Sequence, residues 1–149
     1  MSVPPTKTAR ALLEVTTLLM RSFAARMRQG EQRLEPAHVG ILARVSLGAC
    51  SLTELAQHQA VRLPTMSKSI ALLVRRGWVE RSTHEDNRRQ VIVRLTAAGR
   101  RVFANMKREA ERHVARMLVS LDGAERAQVE AGLATLIRVL GPAVRNERE

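Results

Sequence analysis

The amino-acid sequence predicts a mainly α-helical protein that contains one small β-hairpin. Three observations lead to this fold class. Apolar residues recur at intervals of three and four along most of the chain, which is the spacing of a helix face. Residues 78–95 differ, because two short apolar stretches flank a polar segment, a pattern typical of a hairpin. Apolar residues make up 45% of the 149 residues, which is enough for the core of one domain.

The first two helices are predicted from an apolar stripe and from a proline. Residues 7–28 carry the stripe, and Gly30 is expected to end the helix. The stripe consists of Ala11, Val15, Leu18, Leu19 and Ala25, broadened by Met20, Phe23 and Met27. Pro36 suits the first turn of a second helix, which extends to about Val45, because its missing N–H is not needed there. Residues 47–50 are predicted to form a loop.

Capping residues place the third and fourth helices. Ser51 and Glu54 fit the capping box S-x-x-E, in which each side chain accepts a hydrogen bond from the other residue's backbone. The fourth helix is predicted from Pro64 to Gly77. The residues before Pro64 are Arg62 and Leu63, which are poor caps. Its inward face is formed by Met66, Ile70, Leu73 and Val74.

A hairpin and two long helices complete the predicted layout. Trp78 and Val79 open the first strand, with Trp78 as a core anchor, and residues 91–95 alternate along the second. Thr96 is expected to cap a fifth helix. Asp122 and Glu125 form a second capping box for the last helix, which Gly141 and Pro142 should end.

The charge of the chain favours an anionic partner. The formal net charge is +11, and residues 62–101 hold ten Lys or Arg against three acidic residues, so this segment supplies +7 of it. Such a concentration indicates nucleic acid, a membrane surface or an acidic protein as partner. No signal pattern and no run of about 18 apolar residues is present, which predicts a cytoplasmic protein. The single cysteine, Cys50, agrees with a reducing compartment.

The apolar stripes at the two ends of the chain predict a dimer. Residues 36–96 can close a small core of three helices and a hairpin, but that core is too small to cover the end helices as well. Exposed stripes of this kind promote association because each buried square ångström of apolar surface is worth about 25 cal/mol. We therefore predict a homodimer with two-fold symmetry, in which residues 7–30 and 97–141 join the two copies.

The order of elements in residues 36–96 is that of a winged helix-turn-helix. In this motif the second helix of the pair enters the DNA major groove and the basic hairpin lies beside it. The candidate major-groove contacts lie at the start of that helix: Arg62, Pro64, Thr65, Ser67 and Lys68. The candidate phosphate contacts are Ser51, Arg75 and Arg94.

Five short motifs resemble the multiple antibiotic resistance regulator (MarR) family. They are E-L-A from Glu54, P-T-M-S-K from Pro64, R-R-G-W-V from Arg75, D-N-R-R from Asp86 and V-R-L-T-A-A-G from Val93. The resemblance implies a dimeric transcriptional regulator, usually a repressor, whose hairpin enters the minor groove. It implies Arg88 as the minor-groove arginine, Asp86 as the carboxylate that orients it, and Arg89 beside them.

The chain also departs from that family's pattern. Members often carry Asp and Arg in the middle of the recognition helix, whereas this chain has Ala71 and Leu72. An ion pair from the helix to the hairpin through that Asp is therefore not available.

The resemblance further implies a small-molecule effector bound between the dimerisation helices and the DNA-binding lobe. Met20, Phe23, Met27 and His38 are the candidate residues of that cleft, and ordinary packing is the alternative role for all four. We predict no cofactor and no metal, because the four histidines lack ligand-type spacing. Cys50 is expected to be a small residue in a turn.

The sequence therefore predicts a dimeric, sequence-specific DNA-binding regulator that is not an enzyme, since no catalytic signature is present. The alternative from another class is an architectural or protein-interaction module that uses the winged helix only as a scaffold.

Overall fold

The computed structural model describes residues 3–29 and 34–146, and over these residues the protein is mainly helical with a three-stranded antiparallel sheet. The chain divides into two compact units, Met1–Lys107 and Arg108–Glu149. In chain order the elements are α1 (Pro5–Gln29), α2 (Pro36–Ser46), β1 (Cys50–Ser51), α3 (Leu52–His58), α4 (Leu63–Arg75), β2 (Val79–Thr83), β3 (Val91–Leu95), α5 (Ala97–Met117) and α6 (Gly123–Asn146). The predicted helix end at Gly30 lies outside the described residues.

Both predicted capping boxes are present. The Ser51 hydroxyl accepts a hydrogen bond from the Glu54 N–H (3.1 Å), and the Glu54 carboxylate accepts one from the Ser51 N–H (2.6 Å). At the start of α6, Asp122 accepts from the Glu125 N–H (2.8 Å) and Glu125 from the Asp122 N–H (3.0 Å). Each box satisfies two backbone donors that a helix start would leave unpaired.

The helices α3 and α4 end through the same hydrogen-bond pattern. After α4, Gly77 has φ +72°, and the N–H groups of Gly77 and Trp78 donate to the carbonyls of Val74 (2.9 Å) and Leu73 (3.0 Å). This left-handed ending is usually made by glycine. After α3 the left-handed position is held by Ala60, with φ +51°. A side chain at that φ costs roughly 1–2 kcal/mol, so the turn between α3 and α4 is formed against a local penalty.

The sheet has the strand order β1-β3-β2. In the β2–β3 hairpin, Val79 pairs with Leu95 and Thr83 with Val91, whereas β1 pairs Cys50 with Val93. The sequence analysis placed Cys50 in a loop, and this assignment is wrong. A two-residue strand is too short to show an alternating pattern, and its existence depends on the partner strand β3.

The core lies in the first unit and combines α2, α3, α4 and the sheet. Its residues with no exposed surface are Ile41, Leu42, Leu55, Ile70, Leu73 and Val93. The predicted inward face of α4 is confirmed, because Met66, Ile70 and Leu73 are buried and Val74 packs against the same cluster. Trp78 is 8% exposed and belongs to this core, as predicted.

The base of the hairpin is tied to the start of α5 by the L-T-A-A-G motif. Thr96 caps α5 by accepting from the Gly99 N–H (3.0 Å), and its hydroxyl donates to the Gly77 carbonyl. The Thr96 N–H donates to the carbonyl of Trp78 (3.0 Å). A Cβ at Gly99 would overlap that same carbonyl oxygen, so only glycine permits this approach.

The last helix continues past the predicted end at Gly141 and Pro142. Pro142 lies inside α6, which ends at Asn146. The expectation was wrong for a physical reason. Proline disfavours a helical conformation in the preceding residue partly through a clash with that residue's Cβ, and Gly141 has none. Proline then costs the helix one hydrogen bond without ending it.

Large apolar side chains are exposed on α1 and on α6. On α1 they include Leu13 (68%), Leu18 (56%) and Met20 (58%). In the second unit they include Leu133 (51%) and Ile137 (72%). Both helices therefore carry apolar surface that the described part of a single chain leaves in contact with solvent. None of the described helices combines the length and the apolar character that crossing a bilayer requires.

Candidate nucleic-acid interface

The start of α4 presents a polar and basic surface. Arg62, Pro64, Thr65 and Lys68 are exposed, and Ser67 is half-buried. Arg62 is the N-cap residue, and no side-chain hydrogen bond caps the helix there, as expected from the sequence. The first-turn N–H groups are therefore not consumed by a capping side chain, and a helix start of this kind attracts anions such as phosphate.

A tight turn forms the hairpin tip. The Gln90 N–H donates to the Asn87 carbonyl (2.9 Å), which makes Arg88 and Arg89 the two central residues of a β-turn. The Asn87 side chain accepts from the Arg89 N–H (3.1 Å), and the His84 N–H donates to the Gln90 carbonyl (3.0 Å) below the turn. Both arginines are exposed. The turn therefore holds two cationic side chains at the corners of the tip.

Asn87 shapes the hairpin tip, and its role was not predicted from the sequence. Its side chain fixes the turn that presents both arginines. The available signal was asparagine at the first position of a four-residue turn, where it is favoured because its side chain can accept a backbone N–H two residues later. Asp86 lies beside this turn, and its N–H donates to Nδ1 of His84 (3.2 Å). The role of Asp86 in orienting Arg88 stays a prediction.

The hairpin tip lies close to the start of α3. Ser51, Glu54, Asn87 and Arg89 line one small cleft of about 350 Å³. Backbone hydrogen bonding from Ser51 holds the pKa of the Glu54 carboxyl below its usual value, against a smaller opposing effect of burial. The cleft is thus lined by one acidic and one basic residue, Glu54 and Arg89.

Ser51 is not available as a phosphate contact. The residue is 1% exposed, and its hydroxyl accepts the capping hydrogen bond from Glu54. That prediction was wrong, because the same side chain cannot both cap α3 in the interior and meet a phosphate at the surface. Arg75, in the last turn of α4, is exposed and keeps its candidate role.

Arg94 does not line the cleft at the hairpin tip but lies in a second, larger groove. In β3 its neighbours Val93 and Leu95 are buried, whereas Arg94 is exposed on the opposite face and pairs across the strands with Glu80. It lines an open groove of about 680 Å³ together with Arg100, Phe103 and Lys107. Its proposed contact with phosphate therefore depends on how a duplex runs past this groove.

The four candidate effector residues have unequal environments. His38 is buried, and Met27 packs against the core, whereas Met20 is 58% exposed. Nδ1 of His38 accepts a hydrogen bond from the Glu35 N–H (3.3 Å) at the start of α2. Burial, helped by the charge of Arg76 and opposed by that of Glu35, lowers the pKa of His38. Its geometry supports the packing role, and the effector role stays a prediction.

Cys50 is buried within the sheet. Burial raises the pKa of its thiol. At neutral pH this favours the thiol over the reactive thiolate. In residues 3–29 and 34–146, no group of three or more His, Cys, Asp or Glu side chains has a metal-binding arrangement.

Comparison with known proteins finds a family match in the helix-turn-helix region. The model of the MarR family matches residues 41–91, which run from within α2 through the helix-turn-helix to the first residue of β3. These residues are similar to the MarR family, as the sequence motifs predicted. Among curated relatives, the uncharacterized HTH-type transcriptional regulator YfiV of Bacillus subtilis (strain 168) is 28% identical over 93 residues, covering 62% of this chain and 58% of that protein. The chain thus spans less than two thirds of the length of the curated relatives it matches.

Solved structures show the same fold over nearly the whole chain. Wild-type MarR of E. coli, in its apo form, has a TM-score of 0.74 and 20% identity, covering 92% of this chain and 98% of that one. Streptococcus pneumoniae FabT, solved in complex with DNA, has a TM-score of 0.65 and 20% identity, covering 94% and 99%. The predicted winged-helix fold is confirmed.

Proposed function

We propose that this protein is a MarR-family regulator, which acts as a homodimer, binds DNA sequence-specifically and represses transcription in response to a small-molecule effector. One observation carries the proposal. Within the first unit, an exposed helix start with Thr65 and Lys68 occurs together with a hairpin whose turn holds Arg88 and Arg89 at its corners. A helix for the major groove and an arginine tip for the minor groove are the two contact elements of a winged helix.

Electrostatics supports nucleic acid as the partner. Residues 62–101 carry ten basic and three acidic side chains, and the basic ones at the two contact elements are exposed. Each phosphate that they neutralise releases condensed counterions from the duplex. The observed affinity should therefore fall with salt concentration roughly as its 0.9Z power, where Z is the number of neutralised phosphates.

The exposed apolar side chains of α1 and α6 support a dimer. Leu18, Leu133 and Ile137 are each more than half exposed. Burying a side chain of this size is worth about 1.5–3 kcal/mol, and several of them together favour a second copy as the cover. Two-fold symmetry then gives an imperfectly palindromic operator whose half-sites lie about one helical turn, 10 to 10.5 base pairs, apart.

A small-molecule effector would act through the conformation of the dimer. A ligand shifts operator binding only if it prefers one of two conformations of the dimer. We expect it to act by changing the separation of the two α4 helices. The FabT structure shows that one relative of the same fold binds DNA, and it supports DNA binding without identifying any effector.

A competition experiment tests the proposal. The full chain is incubated at physiological salt with a labelled duplex from the region upstream of its own coding sequence, against unlabelled random DNA. We expect a preference of at least a thousandfold for the upstream duplex, as for specific regulators. Equal competition by random DNA, with the salt dependence retained, would instead identify an architectural protein.

A further inference from the structure

The start of α4 is unexpectedly apolar for a surface that contacts DNA. Val61 is 37% exposed and Leu63 is 47% exposed, and Pro64 is exposed beside them. These residues come directly before and within the first turn of α4, which begins at Leu63. The helix end that a winged helix directs into the major groove therefore carries carbon-rich side chains.

The outward face of α4 offers few hydrogen-bonding groups for reading bases. Counted from Pro64 at helical spacing, that face holds Lys68, Ala71, Leu72 and Arg75. Residues 63–72 contain no Arg, Asn, Gln, Asp or Glu. Arg and Lys read guanine, and Asn and Gln read adenine, through paired hydrogen bonds, so Lys68 alone offers that mode within residues 63–72.

Apolar contact is a further means of direct readout. The thymine C5-methyl group is the apolar feature that distinguishes base pairs in the major groove. We propose that Leu63 and Pro64, with the methyl group of Thr65, recognise thymine methyl groups in the operator, while Lys68 contacts guanine. This inference rests on the proposed function and specifies the base chemistry that the same surface recognises.

Charge complementarity favours DNA over an apolar protein partner at this surface. The apolar residues lie between Arg62 at the N-cap and Lys68 in the second turn, and Arg75 follows at the end of the helix. All three cations are exposed. A small apolar patch bordered by cations suits a groove in which methyl groups lie between two rows of phosphates.

The test begins with duplexes selected from a random pool by the full chain, which requires no knowledge of the natural operator. Each thymine of a selected duplex is then replaced singly by deoxyuridine, which removes only the methyl group. At one or more thymines in each half-site we expect an affinity loss of about fourfold, the equivalent of one buried methyl group. An affinity that is unchanged at every thymine overturns the inference.

Protein variants assign the effect to the helix start. Leu63→Ala or Pro64→Ala should bring the thymine-to-deoxyuridine ratio of about four close to one at a contacted position. Lys68→Ala, the matched control in the same helix, should weaken binding to both duplexes and leave that ratio unchanged. If the thymine-to-deoxyuridine affinity ratio stays near its parent value in both apolar variants, the assignment of the methyl contact to Leu63 and Pro64 is wrong. If the selection enriches no sequence, the proposed function fails and this inference fails with it.

Discussion

Arg88 occupies the first corner of the turn at the hairpin tip, where its side chain is exposed and its backbone is held by the Asn87 turn. Replacing Arg88 by Ala should weaken operator binding by about 1–3 kcal/mol, because it removes the cation proposed for the minor groove. The fluorescence anisotropy of a labelled duplex measures this loss. Arg101→Ala removes an equal charge from the exposed face of α5 and should have a much smaller effect. Equal losses of affinity in the two variants would mean that Arg88 contributes only its positive charge and no specific contact.

Gly99 is required because the start of α5 approaches the carbonyl of Trp78 too closely for a side chain. Gly99→Ala should lower the free energy of unfolding by about 1–3 kcal/mol, the usual cost of forcing atoms into a packed site. The matched control is Gly123→Ala, since a Cβ at Gly123 would meet no atom within 4 Å. Chemical denaturation compares the two variants. Equal free energies of unfolding for the two variants would contradict the close approach of Gly99 to the Trp78 carbonyl.

His38 should make stability depend on pH. Burial lowers its pKa in the folded protein, so the unfolded chain takes up a proton near pH 6.5 that the folded chain resists. The free energy of unfolding is therefore highest above pH 6.5 and falls as the pH drops from there towards the folded pKa. Urea denaturation at pH 7.5 and pH 5 measures the difference.

His38→Gln should reduce this pH dependence, because Gln can still accept from the Glu35 N–H but does not titrate in this range. His58→Gln, which replaces an exposed histidine at the end of α3, is the matched control. A pH dependence unchanged by His38→Gln would show that His38 is not its source.

At the scale of elements, α4 combines a poor helix start with a candidate DNA contact. Arg62 has the extended conformation of an N-cap, with φ −75° and ψ 151°, but provides no capping hydrogen bond. Arg62→Ser should raise the free energy of unfolding by about 1 kcal/mol, the usual value of a cap, while weakening DNA binding. Chemical denaturation measures the expected rise in the free energy of unfolding, and a binding assay measures the expected loss of affinity for DNA. Stronger DNA binding by the variant would exclude Arg62 from the interface.

Elements with local signals were predictable from the sequence. The capping boxes at Ser51 and Asp122 depend on side chains three residues apart, and the end of α4 depends on Gly77. The strand β1 was not predictable, because two residues carry no periodicity and their pairing with β3 is a tertiary contact. The continuation of α6 through Pro142 was not predicted, because a glycine followed by a proline usually marks the end of a helix.

The candidate site was predictable in its residue types and less so in its geometry. Periodicity placed Lys68 and Arg75 on the outward face of α4, and the structure agrees. It could not show that Ser51 is buried, since a capping serine looks the same in a sequence whether it lies at the surface or in the interior. The exposure of Leu63 was also hidden, because a leucine at a helix start usually suggests core.

At the scale of the whole molecule, both units carry large apolar side chains that are exposed to solvent. Leu18 in the first unit and Ile137 in the second are 56% and 72% exposed. Exposed apolar side chains of this size, where several occur together, mark surfaces that another molecule covers. The sequence indicated this excess through its stripes, but a single chain cannot show which surfaces of two copies meet.

The mass of the protein–DNA complex tests the central claim most directly. Sedimentation equilibrium is measured for the full chain alone and bound to a duplex that it has selected from a random pool. The account predicts two chains in the free protein and two chains on each duplex that carries both half-sites. A free protein with the mass of one chain, or a specific complex that contains a single chain, would contradict it.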